Sequence, residues 1–305
     1  MAKFEAAIGR YVWLEIQGVE YRVYFEEAGQ GIPLICQHTA GSDGKQWRHF
    51  LADPDIISRF RVIVPDLPYH GKSLPPESQE WWAQEYRLTK SFFIDFHLAL
   101  KRGLDCEKPV FIGSSMGGHL APDLALACPD EYAAVIGLEA GLKTGAGSDD
   151  DIRAAFRYFR HPRVNGADRA AAAMYCINGP RSPEKYKREV AWSYSQDAPG
   201  VFAGDLNYYN IEHDLRETAH LIDAARCPVY IMNGEYDPST GFKEGEELAA
   251  KINGAVWIPM PGIGHFPMTE DYPTMKPFLM PVLDEIAAHR GDSHPTAALA
   301  TPANR

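Results

Sequence analysis

The segment 109-PVFIGSSMGGHLAPDLALA-127 decides the reading of this chain. Its apolar run, Pro109 to Ile112, has the length and composition of a buried strand, and Met116 to Ala127 has helical character up to the stop at Pro129. Between them stands Gly113-Ser114-Ser115-Met116-Gly117, a G-x-S-x-G set. A serine at the centre of such a strand-to-helix turn sits on a strained backbone that exposes its hydroxyl, and small neighbours permit the strain. An isolated pattern of this kind is often no more than a Gly/Ser-rich turn. The strand before it and the helix after it make Ser115 a candidate nucleophile.

Outward from this segment, short apolar runs alternate with helical stretches, the pattern of a mostly parallel sheet. Tyr11 to Ile16 and Tyr21 to Phe25 flank Gly18 like an antiparallel opening pair, and Pro33 to Cys36 and Arg61 to Val64 follow as buried strands. Helical sequence is predicted from Trp47 to Ile57 and from about Gln84 to Lys101. Val135 to Leu138, Val229 to Met232 and Ala255 to Pro259 complete the strands, with helices at Phe242 to Lys251 and Met275 to His289.

From about Leu142 to Leu221 no core strand is visible, and aromatics and prolines accumulate in helical and loop pattern. The expected organisation is therefore a core in two parts, 1–141 and 223–290, interrupted by a mainly helical cap at 142–222. The remaining stretch, 291–305, is Ala, Pro, Thr and Ser with little apolar content and is expected to be disordered. No internal repeat is present.

Composition narrows the partners. The 305 residues are 45% hydrophobic, enough for a substantial core. Thirty Lys and Arg against 41 Asp and Glu give a formal net charge of −11, and no basic cluster is placed to meet nucleic-acid phosphates. MAKFEAAIGRYVWLEIQG at the start has no apolar signal core, and no run of about 18 apolar residues occurs, so neither secretion nor membrane spanning is expected. Cys36, Cys106, Cys128, Cys176 and Cys227 are scattered without metal-ligand spacing and read as reduced cytoplasmic thiols.

A serine hydroxyl needs a base whose pKa lies near neutrality, which points to histidine. His265 stands in Pro261-Gly262-Ile263-Gly264-His265-Phe266, a Gly-rich loop after the last strand and before the final helix, from which the imidazole can swing over the sheet edge. The imidazole in turn needs a carboxylate to set its tautomer. Asn233-Gly234-Glu235-Tyr236-Asp237-Pro238 supplies Asp237, preferred over Glu235 for its depth in the turn, and Glu139 at the end of the Val135 to Leu138 strand is the alternative acid. Backbone N–H groups of Met116 and of Ala40, in Cys36-Gln37-His38-Thr39-Ala40-Gly41-Ser42, are placed to form an oxyanion hole. His70, in Asp66-Leu67-Pro68-Tyr69-His70-Gly71-Lys72-Ser73, reads as structural. His119, His213 and Asp214 receive no site role, and Trp192, Tyr194, Tyr208 and Tyr209 could line a pocket roof or simply pack the cap.

DLPYHGKS, GSSMGG, NGEYD and GIGHF in this order resemble the α/β-hydrolase superfamily over roughly residues 20 to 290. The resemblance implies an α/β-hydrolase fold with a mostly parallel eight-stranded sheet, helices on both faces and an inserted cap. It also implies the chain order Ser115, Asp237, His265. One departure stands out: many members carry His-Gly where this chain has His38-Thr39, which bears on the Ala40 donor. Serine at the elbow disfavours the haloalkane dehalogenase and epoxide hydrolase chemistries, which use aspartate there.

The implied activity is hydrolysis of a small carboxylic ester, lactone or thioester through an acyl-enzyme on Ser115, with no metal or organic cofactor. GSSMGG is also similar to the elbow of carbon–carbon bond hydrolases, so cleavage of a β-diketone or ring-fission dienoate stays open. So do interception of the acyl-enzyme by an alcohol or peroxide, and a ligand-sensing role for the same fold. The expected partner is a small-molecule substrate, with no nucleic acid and no membrane, and a homodimer is compatible with the class.

Overall fold

The computed structural model describes residues 2–161 and 163–291. The expected tail at 291–305 lies outside them except for Gly291, which closes the last helix.

Eight strands form one sheet: β1 (Ile8–Ile16), β2 (Val19–Ala28), β3 (Ile32–Gln37), β4 (Phe60–Pro65), β5 (Val110–Ser114), β6 (Ala134–Leu138), β7 (Val229–Gly234) and β8 (Val256–Met260). Their order across the sheet is β1-β2-β4-β3-β5-β6-β7-β8. β1 and β2 pair antiparallel through a two-residue turn in which Gln17 and Gly18 both have positive φ, 52° and 77°, the hand that matches strand twist. β2 pairs antiparallel with β4, and every later pairing is parallel. β5, β6 and β7 are buried at every position, which is why their sequences are continuous apolar runs and not alternations.

Two expected helices differ in the structure. The segment from Trp47 to Ile57 is a 3₁₀ turn, Gly44–Trp47, followed by two short helices, Arg48–Ala52 and Pro54–Ile57. Asp53 separates the helices because Pro54 brings no amide and the Asp53 carboxylate caps the second by accepting from Asp55 N. The helix expected from Gln84 begins only at Lys90 and runs to Gly103 (α1), because Thr89 caps it at Phe92 N and Leu88 N is held by Gly204 O. Met116–Ala127 (α2) follows β5 as expected.

Between β6 and β7 the described residues contain no strand. They form helices Asp149–Phe156 (α3), Gly166–Cys176 (α4), Glu184–Tyr194 (α5) and Val201–Asn207 (α6), then a π-helical turn, Tyr208–Glu212. Phe242–Lys251 (α7) and Tyr272–Gly291 (α8) belong to the resumed core. The insertion docks onto loops at the carboxyl ends of the strands. Thr39 Oγ1 lies 2.5 Å from Tyr194 Oη, Ser42 Oγ 2.7 Å from Ser193 Oγ, and His265 N donates to Ile177 O at 3.0 Å. Among the described residues no helix is long and apolar enough to cross a membrane.

Candidate active site

β5 delivers Ser115 to the turn before α2 at φ 56° and ψ −111°, a conformation that side-chain-bearing residues rarely adopt. Ser115 N donates to Leu138 O and His119 N to Ser115 O, both at 2.9 Å, so neighbouring elements hold the strain in place. The flanking glycines are steric necessities. A Cβ on Gly113 would stand 2.3 Å from Gly117 O, and one on Gly117 would stand 2.8 Å from Gln37 Cγ.

His265 reaches this serine from the loop after β8. Its Nε2 lies 2.8 Å from Ser115 Oγ. Its Nδ1 lies 2.8 Å from Asp237 Oδ2, a separation of hydrogen-bond length. Asp237 also accepts from Ser239 N at 2.8 Å and from Thr240 Oγ1 at 3.0 Å. Burial raises its pKa, but the charge and hydrogen bond of His265 outweigh that and hold it down to about 2. Sequence order alone left Glu139 as a rival. In the structure its two oxygens accept from Gly234 N at 2.9 and 3.0 Å, and it stands beside Asp237, not against the imidazole. Burial, and then the Asp237 charge, push its pKa well up, since two carboxylates cannot share a dry site in charged form.

Met116 opens α2, so its amide is one of the N–H groups a helix leaves without an internal acceptor. Across from it, Thr39 N donates to Gln46 Oε1 at 3.0 Å and Gly41 N to Asp205 Oδ2 at 2.8 Å. Between these two engaged amides, Ala40 N donates to no loop carbonyl among the described residues. The departure at Thr39 has a structural consequence: its hydroxyl is the anchor for Tyr194, and the left-handed position falls at Gly41, φ 66°, where a Cβ would strike Phe202.

The four aromatics considered as a pocket roof separate. Trp192 is 57% exposed, with Lys45 Nζ over its ring. Tyr194 is spent on Thr39, and Tyr208 Oη donates to Asp123 Oδ2 at 2.7 Å. Tyr209 is buried, and its hydroxyl has no hydrogen-bond partner among the described residues. His70 pairs with Asp205 at 2.8 Å and His213 with Asp123 at 2.9 Å, while His119 Nδ1 meets Ser115 O at 2.9 Å. Asp205, Asp123 and Glu270 went unnoticed in the sequence because nothing local marks an acid that bonds Gly41 N, His213 or Gly179 N some 90 or more residues away; Glu270 also accepts from Gly264 N, six residues before it. A cavity of about 260 Å³, walled by Tyr24, Glu26, Asp43, Asp66 and Lys72, lies apart from this cluster.

Residues 34–274, about four fifths of the chain, match the model of the alpha/beta hydrolase family. The chain belongs to the α/β-hydrolase family. Among its relatives is a 2-hydroxy-6-oxononadienedioate/2-hydroxy-6-oxononatrienedioate hydrolase of Paraburkholderia phymatum, 28% identical over 139 residues, 43% of this chain and 44% of the relative. Another is a 2-hydroxymuconate semialdehyde hydrolase of a Pseudomonas species, 25% identical over 123 residues, 40% of this chain and 41% of the relative. These matches span less than half the length of the curated relatives. This α/β-hydrolase also superposes on a thermophilic esterase from Thermogutta terrifontis with TM-score 0.78 and 22% identity, over 91% of this chain and 99% of that one. An enol-lactonase from Burkholderia xenovorans gives TM-score 0.74 and 20% identity, over 89% and 99%. At such identities the two structures speak for the fold.

Proposed function

We propose that this α/β-hydrolase is a serine hydrolase that cleaves a small, uncharged carboxylic ester or lactone through an acyl-enzyme on Ser115. The observation that carries the reading is the 2.8 Å approach of Ser115 Oγ to His265 Nε2, with Asp237 2.8 Å from the other ring nitrogen. A charged Asp237 favours the tautomer with the proton on Nδ1, which leaves the Nε2 lone pair facing the serine hydroxyl. Ser115 Oγ attacks the carbonyl carbon while its proton passes to Nε2, and the amides of Met116 and Ala40 hold the resulting oxyanion. Collapse breaks the bond to the leaving oxygen, which takes the proton from Nε2. Water then repeats the sequence on the acyl-enzyme and frees the acid.

Residues 142–222 act in this reading as the cap that covers the acyl pocket, supported by the contacts of Tyr194, Ser193 and Asp205 with the β3 loop. Five free cysteines support a reducing, cytoplasmic setting.

The named activities of the sequence relatives favour a second reading, carbon–carbon cleavage of a ring-fission dienoate. Those substrates carry carboxylates, whereas the hydrogen bonds and ion pairs of Ser115, His265, Tyr194 and Thr39 include no lysine or arginine among the described residues. The deciding experiment is fluorophosphonate labelling with peptide mapping, followed by turnover of p-nitrophenyl esters, lactones and a dienoate. Labelling at Ser115 with ester turnover is expected. Folded protein that resists the probe would sink the reading, and turnover of the dienoate alone would replace it with the second.

A further inference from the structure

Two buried phenols among the described residues, Tyr132 and Tyr209, find no hydrogen-bond partner, and Tyr209 is the one that packs beside the Ser115 turn. It is 7% exposed, and its hydroxyl finds no partner. An unpaired buried hydroxyl costs free energy, so its retention needs a reason. The backbone around it is built to hold it. It sits in the π-helical turn Tyr208–Glu212, where a wider ladder rotates successive side chains away from regular helical spacing. His213 N donates to Tyr208 O at 2.9 Å, and Thr144 Oγ1 donates to the carbonyl of Tyr209 itself at 2.6 Å. The ring is braced edge-on by His119, centroids 4.7 Å apart, and His119 is fastened to Ser115 O.

The two adjacent tyrosines consequently divide. Tyr208 turns to Asp123. Tyr209 turns to the reacting serine: its hydroxyl faces those of Ser115, Ser239 and Thr240 without closing a hydrogen bond to any of them. Ser239 N and Thr240 Oγ1 both bond Asp237, so this is the acid-loop side of Ser115. His265 Nε2 must hand its proton to the leaving oxygen, so that oxygen occupies the space on the histidine and acid side of Ser115 Oγ.

Building on the serine-hydrolase reading, we infer that Tyr209 contacts the substrate, donating a hydrogen bond to the leaving-group oxygen as its bond to the acyl carbon breaks. The phenol stays neutral: burial, with the Asp237 charge, raises its pKa, so it keeps its proton and acts as a donor while His265 supplies the proton that ends on the alcohol. The donor matters in proportion to the charge that gathers on the leaving oxygen. Alkyl esters, whose alkoxides are poor leaving groups, depend on it, and p-nitrophenyl esters, whose phenolate leaves unaided, do not.

The test compares Tyr209→Phe with the wild type on ethyl butyrate and p-nitrophenyl butyrate. The two esters share one acyl group, so kcat/KM isolates acylation and the leaving group. Expected is a loss of about 10- to 100-fold on the ethyl ester with a change below about threefold on the p-nitrophenyl ester, as for one hydrogen bond to a charged oxygen. The rate of fluorophosphonate labelling at Ser115 should stay within about twofold, showing the triad intact. Equal losses on both esters, slowed labelling, or no loss on either would overturn the role of Tyr209. A wild type that neither labels nor turns over esters would instead overturn the hydrolase reading beneath it.

Discussion

Among the described residues are three buried histidine–carboxylate pairs, and only one stands against a hydroxyl that can give up a proton. His265 meets Asp237, His70 meets Asp205 and His213 meets Asp123, all within 2.8 to 2.9 Å. The difference lies at the second ring nitrogen. His70 Nδ1 faces Pro68 O at 3.0 Å, and His213 Nε2 faces Gly141 O at 3.0 Å. A carbonyl oxygen only accepts, so in these two rings both nitrogens face acceptors and neither is turned to a hydroxyl. His265 Nε2 faces Ser115 Oγ, a group that donates. The lesson is that a histidine–aspartate contact does not identify a base. The third partner does, and it separates the proposed triad from two cross-links.

The cross-links have their own work. Asp205 comes from α6 in the insertion and gathers Gly41 N, His70 Nε2 and Tyr86 Oη, at 2.8, 2.8 and 3.0 Å, behind the proposed oxyanion loop. Asp123, on α2, gathers His213, Tyr208 and Lys90 Nζ at 2.9, 2.7 and 3.0 Å, which ties the end of the insertion to the helix that begins after Ser115. Burial lowers the pKa of His70, but the Asp205 charge and hydrogen bond overcome it and raise it to about 9.

The contrast can be broken in four places. Ser115→Ala should lower kcat by about 10⁵- to 10⁶-fold with an unchanged melting temperature, and retained turnover in the purified variant would remove the proposed nucleophile. Asp237→Asn should cost about 10⁴-fold by leaving the imidazole in the wrong tautomer. If that variant keeps nearly full kcat, Asp237 is another cross-link and not the triad acid.

Asp205→Asn should act on stability. Because the folded pKa of His70 lies above its ordinary 6.5, its stabilisation is complete below pH 6.5 and fades as pH rises through about 9. Urea unfolding of the wild type should therefore show a decline on the order of 3 kcal/mol across that window, and Asp205→Asn should lose it. Asp197, pushed up to about 7 by burial, titrates at the lower edge, so the slope between about pH 7 and 9 is the decisive part. Parallel slopes in the two proteins would mean that the pair carries no charge difference on folding. Smallest of all, Glu139→Gln should change kcat/KM by less than about tenfold, because glutamine can accept from Gly234 N and donate towards Asp237 as a neutral carboxylic acid does. A loss exceeding that of Asp237→Asn would move the acid to Glu139.

Much of the scaffold was legible from local pattern. Continuous apolar runs such as Val110 to Ile112 and Val135 to Leu138 mark strands buried on both faces, and glycines at 113 and 117 mark where backbone must approach backbone. The strand-turn-helix at Ser115 is encoded within about a dozen residues, and the histidine loop is announced by its glycines and its place after the last strand. Short-range periodicity and turn chemistry therefore determined the class of the sheet, the position of the elbow and the identity of the candidate base.

What local pattern leaves open is which distant side chains meet. Asp237 over Glu139 was decided by the few ångströms that set one carboxylate on the imidazole and the other on Gly234 N. The break before Lys90 depended on Gly204, and the division of Tyr208 from Tyr209 on a π turn held by Thr144. Sequence determined the elements and the reactive residue types, because those follow from the chain's own periods of 2 and 3.6. Only the tertiary structure decided the pairings, because hydrogen bonds in a dry interior are chosen by packing between segments some 65 to 165 residues apart, which no local period records.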